Sequence, residues 1–249
     1  MPSHSLRLLA LGSVIEVELT GTGAAVALPA IRSAWSWCAQ DLGLPATVLV
    51  RAAYDVEQPL EPFLERLTQQ INYAAIESQA GQLLMFHACT LAAADGRVAA
   101  LIAPSGTGKT TAALGLGKQF GYLSDETAGV LPDLTVVPYP KPLSVIETPG
   151  APKRQVDPTE LFGAAPSGPF RLGALLYLSR KASGPASIEE VPLLESLALL
   201  TPQTSFLSRL PKPLHRLADA VTACGGLRIV HYSEVANLAP IVADALGAR

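Results

Sequence analysis

The sequence predicts an α/β fold in two parts, a small N-terminal α+β lobe at residues 1–84 and a larger domain at residues 85–249. Two observations lead to this prediction. Short apolar strands alternate with amphipathic helices along the chain, and a glycine-rich segment stands between a predicted strand and a predicted helix. The 249 residues, 49% of them hydrophobic, are enough to bury a sizeable core.

The N-terminal lobe is predicted from two strands and one helix. Residues 14–19 alternate between apolar and polar side chains, and residues 46–51 are typical of a second short strand. From Leu60 to Ile71 the apolar residues recur at helical spacing, which predicts a helix with one buried stripe. We expect this lobe to serve mainly for packing and support.

A hairpin is predicted directly before the glycine-rich segment. Residues 86–94 and 97–103 read as strands, and Asp95-Gly96 between them is typical of a two-residue turn. With that turn, His87 would lie opposite Pro104, at the mouth of the following loop.

The rest of the larger domain shows a regular succession of elements. Further strands are predicted near residues 121–124, 127–131, 134–138, 172–179 and 227–232. Helices are predicted at residues 110–120, from Leu214 to a stop at Gly225-Gly226, and from an N-cap at Asn237 to Gly247.

Composition argues against several classes of protein. The net charge of −3 provides no basic footprint for nucleic acid. No uncharged apolar run approaches the ~20 residues of a membrane span. Residues 8–15 resemble a short signal-peptide core, but Glu16 and Glu18 follow at once without a cleavage pattern, so we expect a cytoplasmic protein. We expect three reduced, mostly buried thiols at Cys38, Cys89 and Cys224.

The glycine-rich segment matches the Walker A pattern G-x-x-x-x-G-K-[ST], with Ala103 in the first position. Glycines at 106 and 108 allow successive backbone N–H groups to point at phosphate oxygens, and the helix N-terminus that follows favours negative charge. The lysine can reach the outer phosphates and the first threonine can bind Mg²⁺. The predicted nucleotide-binding residues are Pro104, Ser105, Gly106, Thr107, Gly108, Lys109, Thr110 and Thr111.

A magnesium site also needs a carboxylate. Asp125-Glu126 follows the strand predicted after the helix, and a strand returning beside the first would bring this pair to the phosphates. The alternative is a solvated turn. For His87, the alternative to a functional role is a satisfied histidine in the core.

These residues resemble those of the HPr kinase/phosphorylase-related kinases, whose nucleotide domain is also similar to that of ATP-dependent phosphoenolpyruvate carboxykinase. The sequence contains no NKxD segment, which would recognise guanine, and no LSGGQ-like segment, which is typical of transporter-type ATPases. Both of these nucleotide-binding classes are therefore disfavoured. The resemblance is specific over residues 85–150 and loose beyond. The segments that carry it are His87-Ala88-Cys89, Asp95-Gly96-Arg97, residues 103–111, residues 121–126 and residues 138–144.

The resemblance implies roles for individual residues. Members of that family carry a histidine one strand before the loop, which matches His87, and an acidic pair, usually Asp-Asp, after the helix. By position Asp125 would be the base and Glu126 the metal partner, although glutamate in the second position leaves this division open. The chain has no convincing counterpart of the family's HPr-binding segment or of its usual N-terminal domain, which implies another acceptor.

We therefore predict an ATP-dependent kinase that uses ATP (or ADP) and Mg²⁺ and phosphorylates a hydroxyl of a small molecule or of a peptide or protein serine. Its expected catalytic residues are His87, Lys109, Asp125 and Glu126, with Thr110 and the acidic pair as metal ligands. Lys141, in a proline-rich loop, is a candidate for contact with phosphate or acceptor. The alternative for Lys141 is an ordinary surface lysine.

The rival prediction is a nucleotide-sensing module that binds ATP or ADP without transferring a phosphoryl group. Carboxykinase chemistry is disfavoured by the chain's length and by the lack of a second metal cluster. We expect neither nucleic acid nor membrane as a partner, and a homo-oligomer remains open. Residues 196–216 contain Arg209, Lys212 and Arg216 and no acid, which suits a solvated surface better than an anion site.

Overall fold

A computed structural model of the chain describes residues 4–39, 43–146, 148 and 150–247. It divides into two compact units, the first formed by Met1–Gln79 and Tyr139–Ala164 and the second by Ala80–Pro138 and Ala165–Arg249. The second unit therefore starts at Ala80 instead of residue 85, and a later segment of the chain joins the first unit. The coarse prediction of a mixed α/β protein is confirmed.

Fourteen strands lie within the described residues. In chain order they are β1 (His4–Ala10), β2 (Ser13–Thr20), β3 (Val48–Ala53), β4 (Leu84–Ala92), β5 (Arg97–Ile102), β6 (Gly121–Ser124), β7 (Thr127–Val130), β8 (Val136–Val137), β9 (Leu143–Val145), β10 (Arg154–Val156), β11 (Arg171–Arg180), β12 (Ser187–Val191), β13 (Thr204–Ser205) and β14 (Leu227–Tyr232).

The described residues also form seven α-helices. These are α1 (Ala24–Ala34), α2 (Leu60–Ser78), α3 (Lys109–Leu116), α4 (Pro158–Phe162), α5 (Leu193–Leu200), α6 (Pro213–Ala223) and α7 (Leu238–Ala245). None of the helices in this part of the chain is both long and apolar enough to traverse a lipid bilayer.

The first unit is built on a three-stranded sheet of order β1-β2-β3. Strand β1 runs antiparallel to β2, and β2 runs parallel to β3. Leu11 and Gly12 join β1 to β2 with φ values of 50° and 80°, as a two-residue turn with two left-handed positions requires. The apolar segment 8–15 is therefore the middle of a hairpin.

The second unit is built on a mixed sheet of order β12-β14-β11-β5-β4-β7-β8, with β6 and β13 also paired to β4. Strand β11 lies parallel to both β5 and β14, whereas the other pairs are antiparallel. The apolar run at 172–179 is the core of β11, which confirms its predicted central place. The expected helices near 214–221 and 238–247 are also present, as α6 and α7.

The predicted hairpin register is wrong by one residue. The Ala93 N–H donates to the Arg97 carbonyl at 2.8 Å, so three residues, not two, form the loop. Gly96 has a φ of 84°, and its N–H donates to the Ala93 carbonyl at 3.0 Å, which is the geometry of a type I turn followed by a left-handed glycine. His87 therefore does not lie opposite Pro104.

The side chain of Asp95 favours this longer loop. Its Oδ1 accepts a hydrogen bond from the Arg97 backbone N–H at 3.1 Å, and its Oδ2 accepts one from Arg97 Nε at 2.8 Å. An aspartate that bonds two residues ahead stabilises a type I turn, and this local preference overrode the Asp-Gly signal. On its other side, β4 pairs with β7, where His87 lies opposite Thr127.

The three cysteines are free and buried, as the sequence predicted. Burial raises the pKa of each thiol above its ordinary range, for Cys224 to about 12.

Candidate functional site

A glycine-rich loop at residues 103–108 connects the end of β5 to the first residue of α3. Gly106 and Gly108 adopt left-handed conformations, with φ values of 80° and 102°, which favour glycine. A Cβ added at Gly106 would meet no atom of the described residues within 4 Å, so the loop is open on that side. Ala103, the departure from the motif, does not have a positive φ and accommodates its Cβ without strain.

Lys109, the first residue of α3, is buried and is held by the loop itself. Its Nζ donates to the Ala103 carbonyl at 2.7 Å and to the Pro104 carbonyl at 3.0 Å. Burial lowers the pKa of this ammonium, while the negative charges of Glu126 and Asp125 act in the opposite direction. The lysine charge therefore lies against the start of the glycine-rich loop.

Asp125 lies beside the first turn of α3. Thr110 Oγ1 donates to Asp125 Oδ2 at 2.8 Å, and the Tyr122 hydroxyl donates to Asp125 Oδ1 at 3.1 Å. Strand β6 runs antiparallel to β4, which runs antiparallel to β5, so β6 and β5 end at the same edge of the sheet. The structure thus brings Thr110 and Asp125 together through a returning strand, although this strand lies across β4 from β5 and not directly beside it as predicted.

Glu126 lies next to Asp125 but faces His87. Its Oε1 is 3.6 Å from His87 Nδ1, and its side chain is 33% exposed. Ser124 Oγ accepts hydrogen bonds from the backbone N–H groups of Glu126 and Thr127, each at 3.1 Å, which fixes the turn that presents this carboxylate.

His87 Nδ1 also lies 3.1 Å from the backbone carbonyl oxygen of Glu126. A carbonyl only accepts, so a proton on Nδ1 makes this hydrogen bond and leaves Nε2 as an acceptor. Burial, and then the positive charge of Lys109, lower the pKa of His87, whereas Glu126 opposes the shift. The imidazole is therefore neutral at pH 7.

Lys141 belongs to the first unit, whereas the glycine-rich loop belongs to the second. Only 1% of Lys141 is exposed, and its Nζ donates to the Pro142 carbonyl at 3.1 Å. The alternative of an ordinary surface lysine is therefore wrong. In the second unit Arg209 and Lys212 are exposed, and the Arg209 guanidinium lies over the ring of Phe206 at 4.8 Å.

Two tyrosines that the sequence analysis missed contact the candidate site. The Tyr122 hydroxyl bonds Asp125, as described above, and the Tyr232 hydroxyl donates to the Thr107 carbonyl at 3.0 Å. The only available signal for Tyr232 was its place at the end of a strand parallel to the centre of the sheet, because ligand sites of α/β sheets gather at carboxyl ends of strands.

The oxygen atoms at the start of α3 suit a magnesium ion. Thr110 Oγ1 and Asp125 Oδ2 are a hydroxyl and a carboxylate oxygen, the ligand chemistry that Mg²⁺ prefers. Within the described residues, no group of three or more His, Cys, Asp or Glu side chains could hold a metal. A magnesium ion in this setting takes its remaining ligands from phosphates and water.

The fold and the site define a mixed α/β protein with a glycine-rich loop between strand and helix and a carboxylate bonded to that helix. No protein-family model matches the chain, and no curated protein matches it in sequence.

Proposed function

We propose that this chain is a P-loop kinase similar to the HPr kinases, which transfers the γ-phosphoryl group of ATP to a hydroxyl of a small molecule or of a peptide serine. The observation that carries the proposal is the 2.8 Å hydrogen bond from Thr110 to Asp125, with a second carboxylate on the adjacent residue. A nucleotide-bound metal needs one carboxylate, and the attack of a hydroxyl needs another group to accept its proton.

The loop would hold the phosphates. The left-handed conformations of Gly106 and Gly108 allow the backbone N–H groups to converge, and the N-terminus of α3 favours anions. Within the described residues, Lys109 directs two of its three N–H donors to loop carbonyls. The third donor remains for a phosphate oxygen, so the ammonium can bind the phosphates without leaving the loop.

Thr110 and Asp125 would hold Mg²⁺. When bound, Mg²⁺ neutralises charge on the phosphate oxygens. Asp125 suits this place because it is buried and is oriented by both Thr110 and Tyr122.

Glu126 is the better base. Its carboxylate is partly exposed, so it can approach an incoming hydroxyl, whereas only 4% of Asp125 is exposed. The acceptor oxygen attacks the γ-phosphorus, its proton passes to the Glu126 carboxylate, and ADP leaves with the electrons of the broken P–O bond. This division of roles is the opposite of the one that the resemblance implies. The neutral His87 holds the backbone of Glu126 through the hydrogen bond from Nδ1 to its carbonyl.

Phosphoryl transfer tests the proposal directly. Purified protein is incubated with Mg-ATP labelled in the γ-phosphate and with metabolite and peptide fractions of a cell extract. The proposal predicts slow ATP turnover alone, faster turnover with one fraction, and a phosphate ester by phosphorus NMR. HPr is included as an acceptor, because phosphorylation of its serine at a comparable rate would contradict the proposed acceptor class but not the kinase.

A nucleotide sensor is the second candidate, and one observation favours it. Asp125, the carboxylate bonded to α3, already accepts hydrogen bonds from Thr110 and Tyr122. A protein that only senses nucleotide needs a metal ligand and no base. Tight binding of Mg-ATP without label transfer to any fraction would favour the sensor over the kinase.

A further inference from the structure

Tyr232 is the last residue of β14 and lies at the edge of the sheet that carries the glycine-rich loop. Strands β14, β11 and β5 are parallel, so their carboxyl ends share that edge. The backbone of Tyr232 is fixed, because its carbonyl accepts a hydrogen bond from the Lys181 N–H at 2.7 Å. Only 1% of the residue is exposed, and its hydroxyl donates to the Thr107 carbonyl at 3.0 Å.

This hydrogen bond determines the direction of one peptide group in the loop. The carbonyl of Thr107 and the N–H of Gly108 belong to the same peptide unit, and in a trans peptide they point in opposite directions. With the carbonyl directed to Tyr232, the Gly108 N–H points away from the tyrosine. A carbonyl that accepts a hydrogen bond also polarises its peptide unit, which makes this N–H a stronger donor.

The same segment also packs against α3. A Cβ added at Gly115 would lie 2.6 Å from Cγ1 of Val235, three residues after Tyr232, so α3 and this turn approach closely. Gly115 has a low helix propensity and weakens α3, but the close approach of Val235 leaves no room for a larger side chain at this position. The segment from Tyr232 to Val235 therefore contacts both the loop and the helix that follows it.

We propose that Tyr232 is a positioning residue that orients the Thr107–Gly108 peptide group so that the Gly108 N–H binds a phosphate of the nucleotide. This inference rests on the proposed function, since it requires a phosphate in the loop. It goes beyond the residues of the Walker A pattern by assigning part of the affinity for phosphate to a side chain far away in the sequence.

The test is the Tyr232→Phe variant, which keeps the buried ring and removes only the hydroxyl. The matched control is Tyr54→Phe in the first unit, where a buried tyrosine also donates to a backbone carbonyl, that of Gln58 at 2.9 Å. The affinities for Mg-ATP, Mg-ADP, inorganic pyrophosphate and adenosine are measured by calorimetry, together with the unfolding midpoint.

We expect Tyr232→Phe to bind ATP, ADP and pyrophosphate about 3- to 10-fold more weakly, as the loss of one hydrogen bond allows. Adenosine affinity stays unchanged, because no phosphate is involved. In the transfer assay the KM for ATP rises by the same factor while kcat is retained, since the loop binds the phosphates before and during the reaction. Tyr54→Phe leaves all four affinities unchanged.

Three outcomes would overturn parts of this account, and they are distinguishable. Wild-type affinity of Tyr232→Phe for ATP and pyrophosphate, with binding lost in Lys109→Ala, would contradict the positioning role alone. An equal loss for adenosine and ATP would show a general structural effect and would also contradict it. Unchanged ATP binding in Lys109→Ala would contradict the proposed function itself.

Discussion

Thr110 Oγ1 donates a hydrogen bond to Asp125 Oδ2 at 2.8 Å, across 15 residues of sequence. One helix and one short strand lie between these residues, and that strand, β6, pairs with β4, which separates it from β5. The bond joins the threonine of a Walker A pattern to a buried carboxylate, which is the arrangement that holds magnesium in P-loop proteins.

Asp125→Asn should weaken Mg-ATP binding by about tenfold or more, because an amide lacks the charge that binds a divalent cation. Binding of ATP without magnesium should change less. Titrations with and without Mg²⁺ measure both affinities, and Glu126→Gln serves as the control with the same change of charge one residue away. An equal loss of affinity with and without magnesium would contradict the metal role of Asp125.

Glu126→Gln should retain Mg-ATP affinity within about tenfold and reduce phosphoryl transfer by roughly a hundredfold or more, because an amide cannot accept the proton of the acceptor hydroxyl. Single-turnover transfer of labelled γ-phosphate measures the effect. If Glu126→Gln transfers normally while Asp125→Asn binds normally and does not transfer, the two roles are reversed.

His87 should make the stability of the protein depend on pH. Its pKa in the folded protein lies below the usual value of about 6.5, first because of burial and then because of the charge of Lys109. Between the two values the unfolded chain binds more protons, so the free energy of unfolding falls as the pH is lowered through this window. Denaturant unfolding at several pH values measures this dependence. In the His87→Gln variant the free energy of unfolding should fall less steeply as the pH is lowered. Parallel pH dependences of the wild type and the variant would contradict the lowered pKa of His87.

Gly96→Ala should destabilise the fold by more than left-handed strain alone. Gly96 has a φ of 84°, and an added Cβ would lie 2.3 Å from the Pro169 carbonyl oxygen. Gly225, with a φ of 73° and open space around its Cβ, is the matched control. We expect Gly225→Ala to lower the free energy of unfolding by about 1–2 kcal/mol, and Gly96→Ala to lower it by at least about 1 kcal/mol more, as measured by denaturant unfolding. Equal costs would contradict the close approach.

Local signals predicted most of the second unit. The apolar run of β11, the stripe of α6 and the glycine-rich loop depend on neighbours in sequence, and the structure has all three where expected. The predicted register of the hairpin before the loop was wrong by one residue, because the side chain of Asp95 stabilises a three-residue loop. The two-residue and three-residue turns are both local structures of similar strength, so the sequence pattern does not distinguish them.

Relationships distant in sequence were not predictable in the same way. Residues 139–164 belong to the first unit. The sequence did not predict this, because hydrophobic periodicity does not indicate which unit a proline-rich segment packs against. Helix α1 was missed because Pro29 lies inside it, against the usual preference. The contact of Tyr232 with Thr107 spans 125 residues and follows from strand order, which local patterns do not determine.

Calorimetric titration of Mg-ATP into the wild-type protein and into Lys109→Ala tests the central claim most directly. The Lys109 ammonium lies against the glycine-rich loop, held by the carbonyls of Ala103 and Pro104. We expect saturable binding to the wild type and a loss of roughly a hundredfold in affinity when the charge is removed. No binding to the wild type, or equal affinity of both proteins, would contradict the assignment of this loop as a nucleotide site.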